Sequence, residues 1–165
     1  MNVPKIRWNK GFTLVELLVV IAIIGVLATL VLLQLGTARA RARDTKRITD
    51  INQIRTAVEQ YFEDNDGHYP ATTDLSILAP KYITRLPADP LSGDPYNYAY
   101  NPSSNPTSYQ IWTTLEQSAT ALNGSSHINS TGWQGKPVDA SGASQAACTA
   151  SPGQAPGCIY DQGIQ

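Results

Sequence analysis

A chain of 165 residues with a net charge of −1 has room for one anchor and one small domain, and its charge gives no reason to invoke nucleic acid. Its two cysteines, Cys148 and Cys158, are too few for a four-thiolate metal site. His68 and His127 fall in different loops, no serine sits in a nucleophile-elbow context, and no Gly-rich phosphate loop follows a strand, so an enzyme is not expected.

Over residues 12–35 the only polar side chains are Thr13, Glu16, Thr29 and Gln34. About 20 apolar residues at about 1.5 Å each cross the hydrocarbon of a bilayer, so this run predicts a membrane helix. Glu16 is the anomaly. A carboxylate in such a helix costs about 2 to 3.5 kcal/mol, less near the interface, and usually marks an intramembrane partner. Three other readings stay open: the acid snorkels to headgroups, the run is a cleaved secretory signal, or it is a plain anchor whose acid has no role. Against the signal, the run exceeds the roughly 7 to 15 residues of an h-region and passes straight into a charged helical pattern.

The helical pattern continues. Ile48, Ile51, Ile54, Val58, Tyr61 and Phe62 recur at steps of three and four, which places them on one face and requires a domain to cover it. DNDG stops the helix, with Gly67 suited to a left-handed cap and Pro70 shortly beyond. Residues 12–66 thus predict one helix about 80 Å long, in which Gly25 and Gly36 are tolerated and Gly36 is the expected bend. On its outer half, Arg39, Arg43 and Arg47 form one stripe, and Glu59 and Glu63 with Asp66 another. The two are expected either to meet between axially shifted copies or to be solvated, with the arginines touching lipid headgroups.

TTDLSILAPKYI predicts a short helix capped by Thr72 or Thr73, or an irregular loop. LPADPLSGDPYNY is a structured loop in which Asp89 and Asp94 form turns, leading to a strand around Tyr96 to Tyr100. NPSSNPTS is a connecting turn. YQIWTTLE alternates strictly, with Tyr109, Ile111, Thr113 and Leu115 on one side and Gln110, Trp112, Thr114 and Glu116 on the other, the pattern of a strand. From Ser118 to Pro156 the composition predicts loops with one or two short strands, Trp133 and Val138 being isolated apolar anchors. Cys148 and Cys158 bracket CTASPGQAPGC, which suits a disulfide made outside the cytoplasm; the other reading is two free thiols in a tail.

Read together, the basic leader, KGFTLVELL and the apolar helix after it resemble the processing and methylation signature of type IV pilins and type II secretion major pseudopilins. YFEDNDGHYP, KYITRLPADP and PYNYAYNP are similar to the segment that follows the helix in the same family. The resemblance spans about the first two thirds of the chain. It implies an α+β fold in which a long N-terminal helix packs on a small antiparallel sheet, with a loop-rich C-terminal region. The expected organisation is a leader over 1–11, a transmembrane and assembly helix over 12–35, an amphipathic helix over 36–66 and an extracytoplasmic domain over 67–165.

By the same resemblance, prepilin peptidase cuts after Gly11, Phe12 becomes the N-methylated terminus, and Glu16 faces the amine of a neighbouring subunit's first residue. A buried carboxylate and a buried ammonium are each costly alone, so their meeting favours docking. The implied function is a structural subunit of a pilus or secretion pseudopilus, a helical homopolymer drawn from the inner membrane by an assembly platform and its ATPase. Alternatives are a minor or competence pilin with an adhesive or DNA-uptake role, and a membrane-anchored enzyme or receptor domain. From His68 onward six acids stand against Lys81, Arg85 and Lys136, a poor surface for DNA. Lys5, Arg7 and Lys10 precede the span, whereas Arg39, Arg41, Arg43, Lys46 and Arg47 follow it, so orientation rests on the peptidase facing the cytoplasm and not on a charge count.

Two departures stand out. Leu33 occupies the position where such helices often carry proline. Major pseudopilins commonly have an Asp-rich calcium loop after the last strands, and SATALNGSSHINSTGW, the corresponding stretch here, has no acid. This speaks against calcium, and no cofactor is expected.

Overall fold

The computed structural model of the chain describes residues 11–117, 119–150 and 158–165. Of the leader expected over 1–11, all but Gly11 lies outside the described residues. The chain divides into two compact units, one ending at Ala38 and the other comprising Arg39–Gln165.

Helix α1 (Leu14–Asp64) begins in the first unit and ends in the second. It runs unbroken through Gly25, Leu33 and Gly36. In the first unit its large apolar side chains are bare, with exposure from 42% at Leu35 to 79% at Leu14. Among the described residues, α1 is the one helix long and apolar enough to cross a membrane.

In the second unit the predicted face of α1 is the one that packs. Ile51, Ile54 and Val58 are fully buried, and Ile48, Tyr61 and Phe62 flank them. The helix ends as its sequence demands: Gly67, at φ +76°, donates its N–H to the Phe62 carbonyl at 3.1 Å and closes the last turn. A 3-10 helix (Leu75–Leu78) then adds Leu75 and Leu78 to the core. Its cap is Asp74, whose carboxylate accepts from the Ser76 amide at 2.9 Å, and not Thr72 or Thr73 as expected. Thr72 instead accepts from the Asp74 amide and positions the cap.

Four strands form one antiparallel sheet: β1 (Asn97–Asn101), β2 (Ser108–Thr114), β3 (Gln134–Gly135) and β4 (Ile159–Ile164), in the order β3-β1-β2-β4. Tyr98 pairs with Ile111 and Trp112 with Asp161. Tyr98, Tyr109 and Ile111, with Leu115 just past the end of β2, join the α1 face in a single core. Tyr69 lies between rings, stacked on Phe62 at 4.5 Å and tilted against Tyr109 at 4.4 Å.

Over the described part of 118–156 the loops and the short strand β3 are as expected, and the C-terminal third adds two elements to them. It contains a second helix, α2 (Gln145–Ala150), capped by Ser144, and the strand β4, which no local pattern announced. This segment folds over the second face of the sheet. Ala140, Ala143 and Ile159 form a small apolar cluster there with Trp112 and Val138, and Gln110 on that face is completely buried. The free edge of β4 is also covered: the Ser126 amide donates to the Asp161 carbonyl at 3.0 Å and the Ser126 hydroxyl accepts from the Gly163 amide. A covered edge cannot recruit a foreign strand. Cys148 at α2 and Cys158 before β4 are joined in a disulfide with Cα atoms 4.5 Å apart.

Candidate assembly surface

The N-terminal residues form a capping box, built as their types require. Thr13 precedes the first residue of α1 and its hydroxyl accepts from the Glu16 amide at 3.2 Å. In return Glu16 Oε2 accepts from the Thr13 amide at 2.8 Å and from the Thr13 hydroxyl at 2.7 Å. Two helix-end donors are thereby satisfied, and a carboxylate stands at the positive end of the helix dipole. Glu16 therefore has a local partner in Thr13, which the readings of anchor, snorkel and intramembrane pair do not include although T-L-V-E shows its spacing. Both of these hydrogen bonds use Oε2, and among the described residues Glu16 makes no ion pair. Gly11 and Phe12 are exposed, with open space around the Gly11 backbone. The geometry thus offers an accessible Gly–Phe junction, an oriented acid and a bare apolar surface.

Within the domain, half of the residues in the two charge stripes on the outer half of α1 find partners. Arg43 grips Glu116 through two parallel bonds, Nε to Oε1 at 2.8 Å and Nη2 to Oε2 at 2.5 Å. Arg47 is buried among three carboxylates: Nε meets Asp89 at 2.6 Å, and Nη1 meets Asp44 at 2.9 Å and Glu116 at 2.5 Å. Asp44 also accepts from the amides of Glu116 and Gln117, which joins α1 to the end of β2. Arg43 brings the Glu116 carboxyl down to about 2. Burial alone would raise Asp89, but bonds from Arg47 and from the amides of Ser92 and Leu91 outweigh it and bring Asp89 to about 2. Asp89 is thus both the turn former expected and an ion-pair partner that was not.

Of the acidic stripe, Glu59 is likewise engaged. Glu59 accepts from the hydroxyls of Tyr69 at 3.1 Å and Tyr109 at 2.6 Å. Arg43, Arg47 and Glu59 therefore hold this domain together and are not free to bridge to a second copy. Arg39, Glu63 and Asp66 remain exposed.

Among the described residues, no three His, Cys, Asp or Glu side chains lie together as ligands. Around the 118–138 stretch the nearest buried acid is Asp161, and its carboxylate is occupied by hydrogen-bond donors: the Ser125 hydroxyl, the His127 amide at 2.9 Å, the Ile128 amide at 2.8 Å and the Gln110 side-chain amide at 2.9 Å. Calcium needs six to eight oxygen lone pairs, whereas this site presents hydrogens.

Residues 9–32 match the prokaryotic N-terminal methylation motif. The chain is 40% identical over 101 residues to the type II secretion system core protein G of Escherichia coli (strain K12), a match covering 52% of this chain and 69% of that protein. The corresponding proteins of Vibrio cholerae and Pseudomonas aeruginosa are 35% and 36% identical over 107 residues each, with 57% and 56% of this chain and 73% and 74% of theirs covered. No solved structure gives a significant match.

Proposed function

The chain belongs to the family of type II secretion system core protein G, and from that premise we propose that it is the structural subunit of a pseudopilus, matured at Gly11–Phe12 and polymerised from the membrane. The observation that carries this reading is the bare apolar half of α1 behind an exposed Gly–Phe junction and an oriented glutamate. Such a surface needs a solvent other than water. Before assembly that solvent is lipid, and after it the same helix of neighbouring copies.

Glu16 has a defined part in the exchange. The capping box lowers the cost of holding its carboxylate in lipid by satisfying Oε2 within the subunit. The terminal ammonium of Phe12, created when the leader is removed, is the cation that a neighbouring Glu16 takes up. The pair is favourable only when both charges are buried together, so it stabilises the docked subunit over the isolated one. The domain from Arg39 onward lies outside the cytoplasm, in keeping with its disulfide. Prepilin peptidase, an assembly platform and its ATPase are the partners this route requires.

Maturation tests the proposal directly. Intact mass of the protein from native membranes should correspond to a chain beginning at methylated Phe12. Retention of Met1, or cleavage beyond Leu30, would contradict it.

A further inference from the structure

The second face of the sheet is held by a polar lock centred on Asp161. This residue is fully buried, as are its neighbours Gln110 and Ser130. Besides the four donors around its carboxylate, its backbone is stitched to the same segment: the Asp161 amide donates to the Ser125 hydroxyl at 3.0 Å and its carbonyl accepts from the Ser126 amide. Gln110 completes the set. Its side-chain amide donates to the Ile128 carbonyl at 3.0 Å as well as to Asp161, and its Oε1 accepts from Ser130, whose hydroxyl in turn accepts from the Val138 amide at 2.8 Å. Every polar group in this buried chain thus has a partner from β2, β4 or the segment over 125–138. A fully satisfied buried network fixes one arrangement of its surroundings, and a broken one exposes each member to its full desolvation cost.

An acid-free loop in a family whose calcium loop is Asp-rich would be expected to hang loose. Here the acid is on the strand, and the loop supplies the donors. Three residues before Asp161, the Cys148–Cys158 disulfide fixes the start of the same strand, and the Cys158 carbonyl accepts from the Leu115 amide at 2.9 Å.

We infer that the Asp161 carboxylate, with Gln110 and Ser130, does in this chain what a divalent cation would do in an Asp-rich loop: it fastens the 125–130 segment to the sheet, so the domain folds without calcium. Donors replace ligands, and the cation-binding capacity is given up. The inference concerns the folded domain and stands whether or not the chain polymerises, so its test reads folding and not filaments.

The full-length oxidised protein in detergent is unfolded thermally in excess calcium chloride and in excess EDTA. A ligand at about 100 times its Kd raises Tm by roughly 5 °C or more in a domain of this size. The two curves should instead coincide to within about 1 °C, and a calcium-dependent rise of that size would overturn the inference. In parallel, hydrogen exchange is followed by mass spectrometry in Asp161→Asn, whose new amide group meets donors head-on, and in the milder Ser130→Ala. Exchange at His127 and Ile128 should quicken by about tenfold or more in Asp161→Asn, and to a lesser degree in Ser130→Ala, while the Tyr98–Ile111 pairing of β1 and β2 stays protected. Unchanged protection at His127 and Ile128 in both variants would show that the lock holds nothing.

Discussion

Gly163 has the least room for a side chain of any glycine described. It lies on β4 opposite Gln110, and a Cβ added there would stand 2.0 Å from the Tyr109 carbonyl oxygen and 3.0 Å from the Gln110 Cα. Both neighbours are β2 backbone, so nothing flexible is there to give way. Gly163→Ala should therefore destabilise the domain by about 2 to 3 kcal/mol, the upper range for overpacking, and loosen the β2–β4 pairing. Chemical unfolding of the full chain checks this, and a change below about 0.5 kcal/mol would mean that β4 does not approach β2 as described. Residues of this kind were invisible in the sequence. CIYDQGIQ has no alternation, because Asp161 and Gln162 are buried on polar partners distant in the chain, and no local pattern encodes such partners. The capping box is a different case: T-L-V-E carries its spacing, but the same glutamate at the head of an apolar run also has the signature of an intramembrane acid, and spacing alone does not choose between the two.

Among the elements, α1 and β2 were the most legible, since each carries a strong period. Steps of three and four give the buried face of α1, and strict alternation gives the core face of β2. What periodicity could not show is how the two are tied. Arg43 and Arg47, which look like a solvated stripe, are consumed by Glu116, Asp89 and Asp44. That arrangement has a pH signature. Glu116 and Asp89 ordinarily titrate at 4.5 and 3.8 and fall to about 2 in the folded domain. Their contribution is fully present above the unfolded values and is lost as pH falls from about 4.5 towards 2. Denaturant unfolding should show stability dropping through that window. Glu116→Gln should cost about 1 to 3 kcal/mol at neutral pH and nearly nothing at pH of about 2. A constant difference between variant and wild type across the window would argue against the pairing. The disulfide closes a separation of 10 residues between α2 and β4. Removing it by a double Cys→Ser change should lower stability by about 2 to 3 kcal/mol, and equal stability of the reduced and oxidised forms would show that it constrains little.

At the scale of the whole molecule, two kinds of surface share one chain. The outer half of α1 and the sheet bury their apolar residues and satisfy their buried charges within the domain. The first half of α1 does neither, and its exposed leucines, isoleucines and valines have no covering element among the described residues. A protein built only as an anchored domain would need the apolar run but not an acid at its head. The capping box shows that Glu16 can be accommodated in a single subunit, and the proposed assembly shows what it gains from a second. The measurement that separates these roles is the filament fraction of Glu16→Leu beside wild type, with membrane insertion scored in the same cells. Loss of a buried partner for the Phe12 ammonium should cut the filament fraction by about tenfold or more while insertion is retained. Wild-type filament yield from Glu16→Leu would contradict the account and leave Glu16 as a helix cap alone.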